Sequence, residues 1–243
     1  MVKNRDIASD RTKIRNPYKR PFDLTVLFLA HLLLLPLWLL LWTLIPIAIC
    51  LGDRGPIFYK QQRTGKDGRV FTIFKFRTMV PDAYQKGPAW TIENDVRLTR
   101  VGKFLRRTAM DELPGLWSII KGDMSLVGPR ALNVEEHKQL EQEIPGFEAR
   151  LCVKPGLTGM AQVFDSADQA KDKLAYDLEY AKRMSPWLDA KLLILSVKNT
   201  ITARWDRRVG KSTNSDVVKG SKEQRTEVNA TIKDGQSADK DKA

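Results

Sequence analysis

The sequence predicts a mixed α/β, helix-rich fold with a small β-hairpin and a proline-broken N-terminal membrane helix, either re-entrant, as in a monotopic membrane protein, or a kinked single-pass anchor. Three observations carry this. Residues 24–51 form an apolar run of 28 residues in which His31 is the only Asp, Glu, Lys, Arg or His, long enough for a membrane segment. Residues 56–77 alternate apolar and polar side chains around a turn containing Gly65 and Gly68, the pattern of a β-hairpin. From residue 98 onward apolar side chains recur at three- and four-residue steps, the period of helices. The 243 residues suit one domain with appendages.

The membrane segment comes first. Residues 1–17 form a basic arm; Lys13, Arg15, Lys19 and Arg20 precede the apolar run, and Arg54, Lys60, Arg63 and Lys66 follow it. Positive charge on both flanks favours both ends on the cytoplasmic side. As one straight helix the run would reach about 42 Å, ample for a bilayer core of about 30 Å. Pro36 interrupts it, because proline lacks an N–H and clashes with the carbonyl four residues back. The two arms, 24–35 and 37–51, are each short for a span, which suits a re-entrant segment over 18–51. A kinked single-pass anchor fits the same pattern, since spanning helices tolerate proline. The length of the run and its position argue against a cleavable signal peptide.

In the second hairpin strand, period two puts Phe71, Ile73, Lys75 and Arg77 on one face. Two cations are therefore expected to project together. Residues 81–97 read as a surface loop. A helix over 98–110 places Val101, Phe104, Leu105 and Ala109 on one face and Arg100, Lys103 and Arg107 on another. A short apolar helix follows Asp111-Glu112, and a charged helix covers 133–143 until Pro145 ends it. Residues 154–159 read as a turn, and helices resume over 168–184 and 186–208. Beyond Lys211 there is no aromatic residue, which predicts a disordered tail over 211–243. The body between, 52–210, is the principal domain.

Lys and Arg number 41 against 29 Asp and Glu, a net charge of +12. Residues 1–23 hold seven basic and three acidic side chains and residues 211–243 seven and six, leaving +7 in the body. An anionic partner follows. The cysteines are Cys50 and Cys152 and the histidines His31 and His137, too few and too scattered for a disulfide framework or a structural zinc site. Chemistry must rest on carboxylates, Lys and Arg. Asp111 and Glu112 are the candidates, although at a helix start such a pair ordinarily caps. Lys75, Arg77, Arg106, Arg107 and Arg130 are candidates to converge with them on a polyanion. A carboxylate attacking a phosphate needs that neutralisation, because two like charges about 4 Å apart cost about 4 kcal/mol at an effective dielectric of 20. Carboxylates beside diphosphates also recruit Mg²⁺. Val127-Gly128-Pro129-Arg130 predicts a tight turn that presents a guanidinium for bidentate phosphate recognition.

The order of short motifs is more specific than any one of them. It runs Lys19-Arg20-x-Phe22-Asp23, the proline-broken apolar segment, Gln62-Arg63-x-Gly65, Phe74-Lys75-Phe76-Arg77-Thr78-Met79, Arg97-x-Thr99, Asp111-Glu112-Leu113-Pro114, Lys121-Gly-Asp-Met-Ser125, Val127-Gly-Pro-Arg130 and Lys154-Pro-Gly-x-Thr-Gly-x-Ala-Gln162. From about residue 18 to about residue 205 this resembles the bacterial sugar transferases, the monotopic polyprenyl-phosphate phosphoglycosyl transferases that begin exopolysaccharide, O-antigen or glycoprotein glycan assembly. The resemblance implies a cytoplasmic catalytic domain over 52–210 at the inner membrane of a bacterial cell. It implies transfer of a sugar 1-phosphate from a nucleotide diphosphate sugar, a UDP-sugar, to polyprenyl (undecaprenyl) phosphate with Mg²⁺, releasing the nucleoside monophosphate. Asp111 matches the nucleophile that holds a covalent phosphosugar, and Glu112 its dyad partner, the two also being the implied metal ligands. Lys75, Arg106 and Arg130 match positions tied to the active site or to phosphate. Membrane lipid is an implied partner and nucleic acid is not; no oligomeric state is assigned.

Several positions depart from the family pattern. Leu35 stands where the family has Ser before Pro36, Ala131 where it has a second Pro after Arg130, and Met160 where it has Trp. After Gln162 the usual Asn-Gly-Arg is replaced by Phe164-Asp165-Ser166, where sugar selection is expected. Two other readings compete. A basic membrane-anchored scaffold or nucleic-acid binder would use the charge without turnover, but the aromatic residues do not interleave with basic ones as in nucleic-acid modules. A membrane phosphodiesterase would use the same carboxylates with water as acceptor.

Overall fold

The computed structural model describes residues 16–81, 83, 95–164 and 170–201. Most of the basic arm, most of the 81–97 loop, Asp165 and Ser166, Trp205 and the tail lie outside the described residues. Helices α1 (Lys19–Leu33) and α2 (Leu35–Asp53) divide the apolar run. The break falls at Leu34, at φ −108° and ψ 21°, just ahead of Pro36 rather than at it. Pro36 sits in the first turn of α2, where its missing N–H would have no helical partner in any case. Across the break the His31 and Trp38 rings stack at 4.3 Å with 5° between their planes.

Strands β1 (Phe58–Thr64) and β2 (Val70–Phe76) form the antiparallel hairpin, with Tyr59 opposite Lys75 and Arg63 opposite Phe71. Helix α3 (Arg100–Arg107) is shorter than its periodicity suggests. Thr99 caps it by accepting from the Gly102 N–H at 2.8 Å, and Ala109 turns left-handed at φ 55° just past its end. A 3₁₀ segment, Met110–Gly115, then leads into α4 (Leu116–Lys121), β3 (Ser125–Val127) and α5 (Val134–Glu143). After the 3₁₀ turn Phe147–Cys152 the segment expected to be only a turn contains strand β4 (Gly156–Thr158), which pairs parallel to β3 through Ser125–Gly156 and Val127–Thr158. A Cβ on Gly156 would lie 2.1 Å from the Gly128 nitrogen, so the two strands approach closely only because glycine stands there. Helices α6 (Met160–Phe164), α7 (Ala170–Arg183) and α8 (Pro186–Ile201) complete the chain.

The core gathers Leu27 of α1, Ile73 of β2, Ile119 of α4, Leu126 and Val127 of β3, Tyr180 of α7 and Leu192 of α8. The first turns of α1 are tied to it by polar groups. Lys19 Nζ donates to the Val127 carbonyl at 2.8 Å and lies 2.9 Å from Asp189 Oδ2, while Asp23, 2% exposed, accepts from Ser125 Oγ at 3.0 Å and the Leu126 N–H at 3.1 Å. Arg20 donates to the carbonyls of Ile119 and Ile120 at the end of α4. Buried charge requires such partners, so the Lys19-Arg20-x-Phe22-Asp23 motif is the joint between membrane segment and body. The second joint is apolar: Ile45 and Ile49 of α2 pack with Phe76 and Leu105, and Trp42 lies 5.3 Å from the Phe76 ring. Beyond these joints Phe28, Leu33, Leu34, Leu35, Leu39 and Leu51 are exposed, and α2 is long and apolar enough to cross a membrane. An exposed apolar patch of this kind marks an interaction surface for lipid or protein.

Candidate active site

Asp111 and Glu112 occupy the first turn of the 3₁₀ segment that leaves α3. Neither side chain caps a helix, the role that ordinary expectation gives such a pair. Instead Asp111 is buried and Glu112 receives the Lys75 ammonium at 2.7 Å. Lys75 reaches it from β2, whose alternation aims the side chain off the sheet beside Ile73. Arg130 approaches from the other side, with Nη2 at 3.5 Å from Glu112 Oε1. The two carboxyls differ in charge affinity. For Glu112, burial is outweighed by Lys75, Arg130 and Arg63, which hold its carboxyl down at about 2. For Asp111, burial raises the carboxyl above its ordinary value and the adjacent Glu112 adds to this, against the pull of Lys75, Arg106 and Arg130.

The remaining cations divide. Arg106, in the last turn of α3, donates through Nε to Thr78 Oγ1 at 2.9 Å and is pulled below its ordinary value by burial, with Asp111 the strongest opposing charge. It leans this way because Gly102 lets α3 lie against the Thr78 backbone, where a Cβ would meet the Thr78 carbonyl oxygen at 1.9 Å. Arg77 does not join the cluster. It follows the last residue of β2, is buried, and pairs with Asp53 at the end of α2. The carboxylate there captures the guanidinium that strand periodicity aimed at the dyad. Arg107 is exposed on the outer side of α3.

Pro129 and Arg130 lie in the turn after β3, and the Pro129 carbonyl accepts from the Gly156 N–H at 2.9 Å. A cleft opens beside the turn, lined by Arg63, Ile73, Lys75, Glu112, Met124 and Arg130 among others. Its free volume is about 20 Å³, room for one water-sized group. A larger anion must therefore lie across its mouth. Arg63 is the residue that sequence reasoning placed only in a motif and a membrane flank. Its guanidinium is pulled down to about 10 by burial and by the like charge of Arg130. The signal that could have found it is the hairpin register: Arg63 and Lys75 are both within the paired strands, on opposite sides of the turn.

Arg63, Lys75 and Arg130 line this cleft with Glu112, an excess of positive charge that suits an anion. The donor set is also relevant to Mg²⁺. Among the described residues no group of three or more His, Cys, Asp or Glu side chains is placed to hold a metal. Glu112 is engaged by Lys75 and Arg130, while Asp111 enters no ion pair among the described residues. Asp111 and Glu112 are the carboxylates that Mg²⁺ would use here, and two ligands would leave most of its coordination to water or substrate phosphate.

The fold joins a long apolar N-terminal helix pair to a body in which two carboxylates meet several cations. The bacterial sugar transferase family matches residues 14–203, and the chain belongs to that family. It is 39% identical over 196 residues to an undecaprenyl-phosphate glucose phosphotransferase of Komagataeibacter xylinus, a match covering 76% of this chain and 36% of that one. It is 37% identical over 188 residues to a UDP-N-acetylgalactosamine-undecaprenyl-phosphate N-acetylgalactosaminephosphotransferase of Aeromonas hydrophila, covering 76% and 44%. It is 36% identical over 194 residues to the exopolysaccharide production protein PSS of Rhizobium leguminosarum bv. phaseoli, covering 76% of this chain and 95% of that one. The chain thus spans less than half of the first two relatives and nearly the whole of the third.

Proposed function

We propose that this chain transfers a sugar 1-phosphate from a UDP-sugar to undecaprenyl phosphate at the cytoplasmic face of the bacterial cell membrane, the first membrane step of a surface glycan. The observation that carries the reading is the buried Asp111 carboxylate, set among Lys75, Arg106 and Arg130 with Glu112 held beside it. An Asp111 Oδ forms a bond to the sugar-proximal phosphorus while the bridging P–O bond breaks and its electron pair leaves with UMP. An oxygen of the lipid phosphate then attacks the same phosphorus, the Asp111–phosphorus bond breaks, and the carboxylate is regenerated. Arg130 and Lys75 neutralise the phosphate that Asp111 must approach. Mg²⁺ would be held by Asp111 and Glu112 together with donor phosphate oxygens and would add charge neutralisation. The re-entrant path of α1 and α2 belongs to the same proposal. It is supported by the break at Leu34, the basic residues on both flanks and the exposed apolar arms.

The relatives bear on acceptor more than on sugar: two of them are named for undecaprenyl phosphate but for different sugars. The test is UMP release by the purified chain from a panel of UDP-sugars, with and without undecaprenyl phosphate and with Mg²⁺ or a chelator. UMP release beyond one equivalent per chain that needs both lipid and metal supports the reading, because donor alone can release only the one equivalent that loads Asp111. Multiple-turnover release with water alone as acceptor would make the protein a phosphodiesterase, and no release from any donor would return it to a scaffold. Mass spectrometry after incubation with donor alone is expected to show a phosphosugar on the peptide that contains Asp111.

A further inference from the structure

We propose that Arg63 is a positioning residue for donor binding, acting through Arg130 by holding the backbone of the turn that carries it. The inference rests on the phosphotransfer reading above and deepens it.

Arg130 is long and partly exposed, so its aim depends on its backbone. Three consecutive carbonyls of that backbone are taken by three separate donors. The Pro129 carbonyl accepts from the Gly156 N–H at 2.9 Å, the Arg130 carbonyl from Arg150 Nη2 at 2.9 Å, and the Ala131 carbonyl from Arg63 Nη1 at 2.6 Å. Arg150 is itself fixed, buried against Asp177 at 2.7 Å. Arg63 is fixed by its second arm, which donates from Nη2 to Gln61 Oε1 at 2.5 Å. Gln61 and Arg63 point to the same side of β1, two residues apart. The planar guanidinium spans these two acceptors at once, which a lysine ammonium on its flexible stem does not reproduce. Ala131 gives the contact added weight in this chain, because it stands where the family pattern has a proline that would stiffen the turn by itself.

A purely structural staple would not need to be charged, nor to line the cleft. Arg63 does both: it forms the cleft wall with Lys75, Glu112 and Arg130, and it crowds a like charge against Arg130. Such crowding is unfavourable until an anion enters, which suits a residue whose task is performed when a diphosphate binds.

The test is a double-mutant cycle on the full-length chain in lipid nanodiscs, using R63M, R130A and the double variant. It is read both as the KM for the UDP-sugar donor and as UDP-glucose binding by calorimetry. R63M should raise the donor KM about tenfold with a smaller change in kcat, and should add less than about twofold in the R130A background. R63K keeps the charge but loses the fork, so most of the defect should remain. Losses that multiply in the double variant, or full recovery in R63K, would overturn the positioning role while leaving the phosphotransfer reading intact. If R63M does not fold, R63K taken through the same cycle decides in the same way. Donor binding without turnover would overturn the reaction and not this inference; failure of the wild type to bind UDP-glucose or any UDP-sugar of the panel would overturn both.

Discussion

Asp111 and Glu112 are adjacent in sequence and opposite in electrostatics. Burial raises the Asp111 carboxyl, so its charged form is under-stabilised in the folded protein. Asp111→Asn should therefore hold or raise the melting temperature at neutral pH while UMP release falls by about three orders of magnitude or more. Near-normal turnover in that variant would remove Asp111 from the chemistry. Glu112 has the other sign: its folded value of about 2 lies below the ordinary 4.5. The stability it contributes is complete above pH 4.5 and is lost as pH falls through about 2. Glu112→Gln should lower the melting temperature at pH 7 and flatten its fall on the acid side, measurable by differential scanning fluorimetry across that window. At this scale the dyad, Lys75 and Arg130 each sit in a short motif, and Arg106 in the helix just before the dyad, so the sequence could single them out and the fold brings them near one another. Arg77 was not legible, because its destination depends on Asp53 in another element, and Arg63 was not, because its task depends on where residues 129–131 return.

The helix break was legible from Pro36, yet its geometry was not. The His31–Trp38 stack joins two residues that a continuous helix would separate by about 10.5 Å along its axis. The joint at α1 depends on Lys19 meeting Tyr180 and Asp189, more than 150 positions away, and no local pattern announces such a contact. Strand β4 went unread because three residues are too few to show a period. Pro36→Ala restores an N–H and removes the ring clash, permitting one spanning helix. Single cysteines near residues 15 and 66, in a background lacking Cys50 and Cys152, should both be shielded in intact cells from an impermeant thiol reagent. With Pro36→Ala, part of the population should expose residue 15 to that reagent, because the short arm is easier to translocate than the basic body. Activity should fall in proportion. Labelling of residue 15 without the substitution would show that the segment already spans.

The whole molecule has two possible means of holding a membrane, and they respond differently to solvent. One is charge: the net +12 attracts anionic headgroups over roughly a Debye length, about 8 Å at physiological ionic strength and about 3 Å at 1 M salt. The other is apolar insertion of α1 and α2, where Leu33 is 75% and Leu51 81% exposed. Hydrophobic burial is not screened by salt. If insertion dominates, washing membranes with about 1 M salt should leave the chain in the pellet, where screening would strip a protein held by charge alone. Alkaline carbonate should also fail to release it, and detergent should succeed. The joint formed by Lys19, Asp23 and Asp189 then makes a second demand. Because these side chains bind the membrane segment to β3, α7 and α8, Asp23→Ala leaves a buried Ser125 hydroxyl and Leu126 N–H without their acceptor. That should destabilise the body by about 1–3 kcal/mol while the chain stays in the pellet. Release of the unmutated chain by salt would instead make it a peripheral basic protein, and the apolar arms would need a protein partner rather than a bilayer.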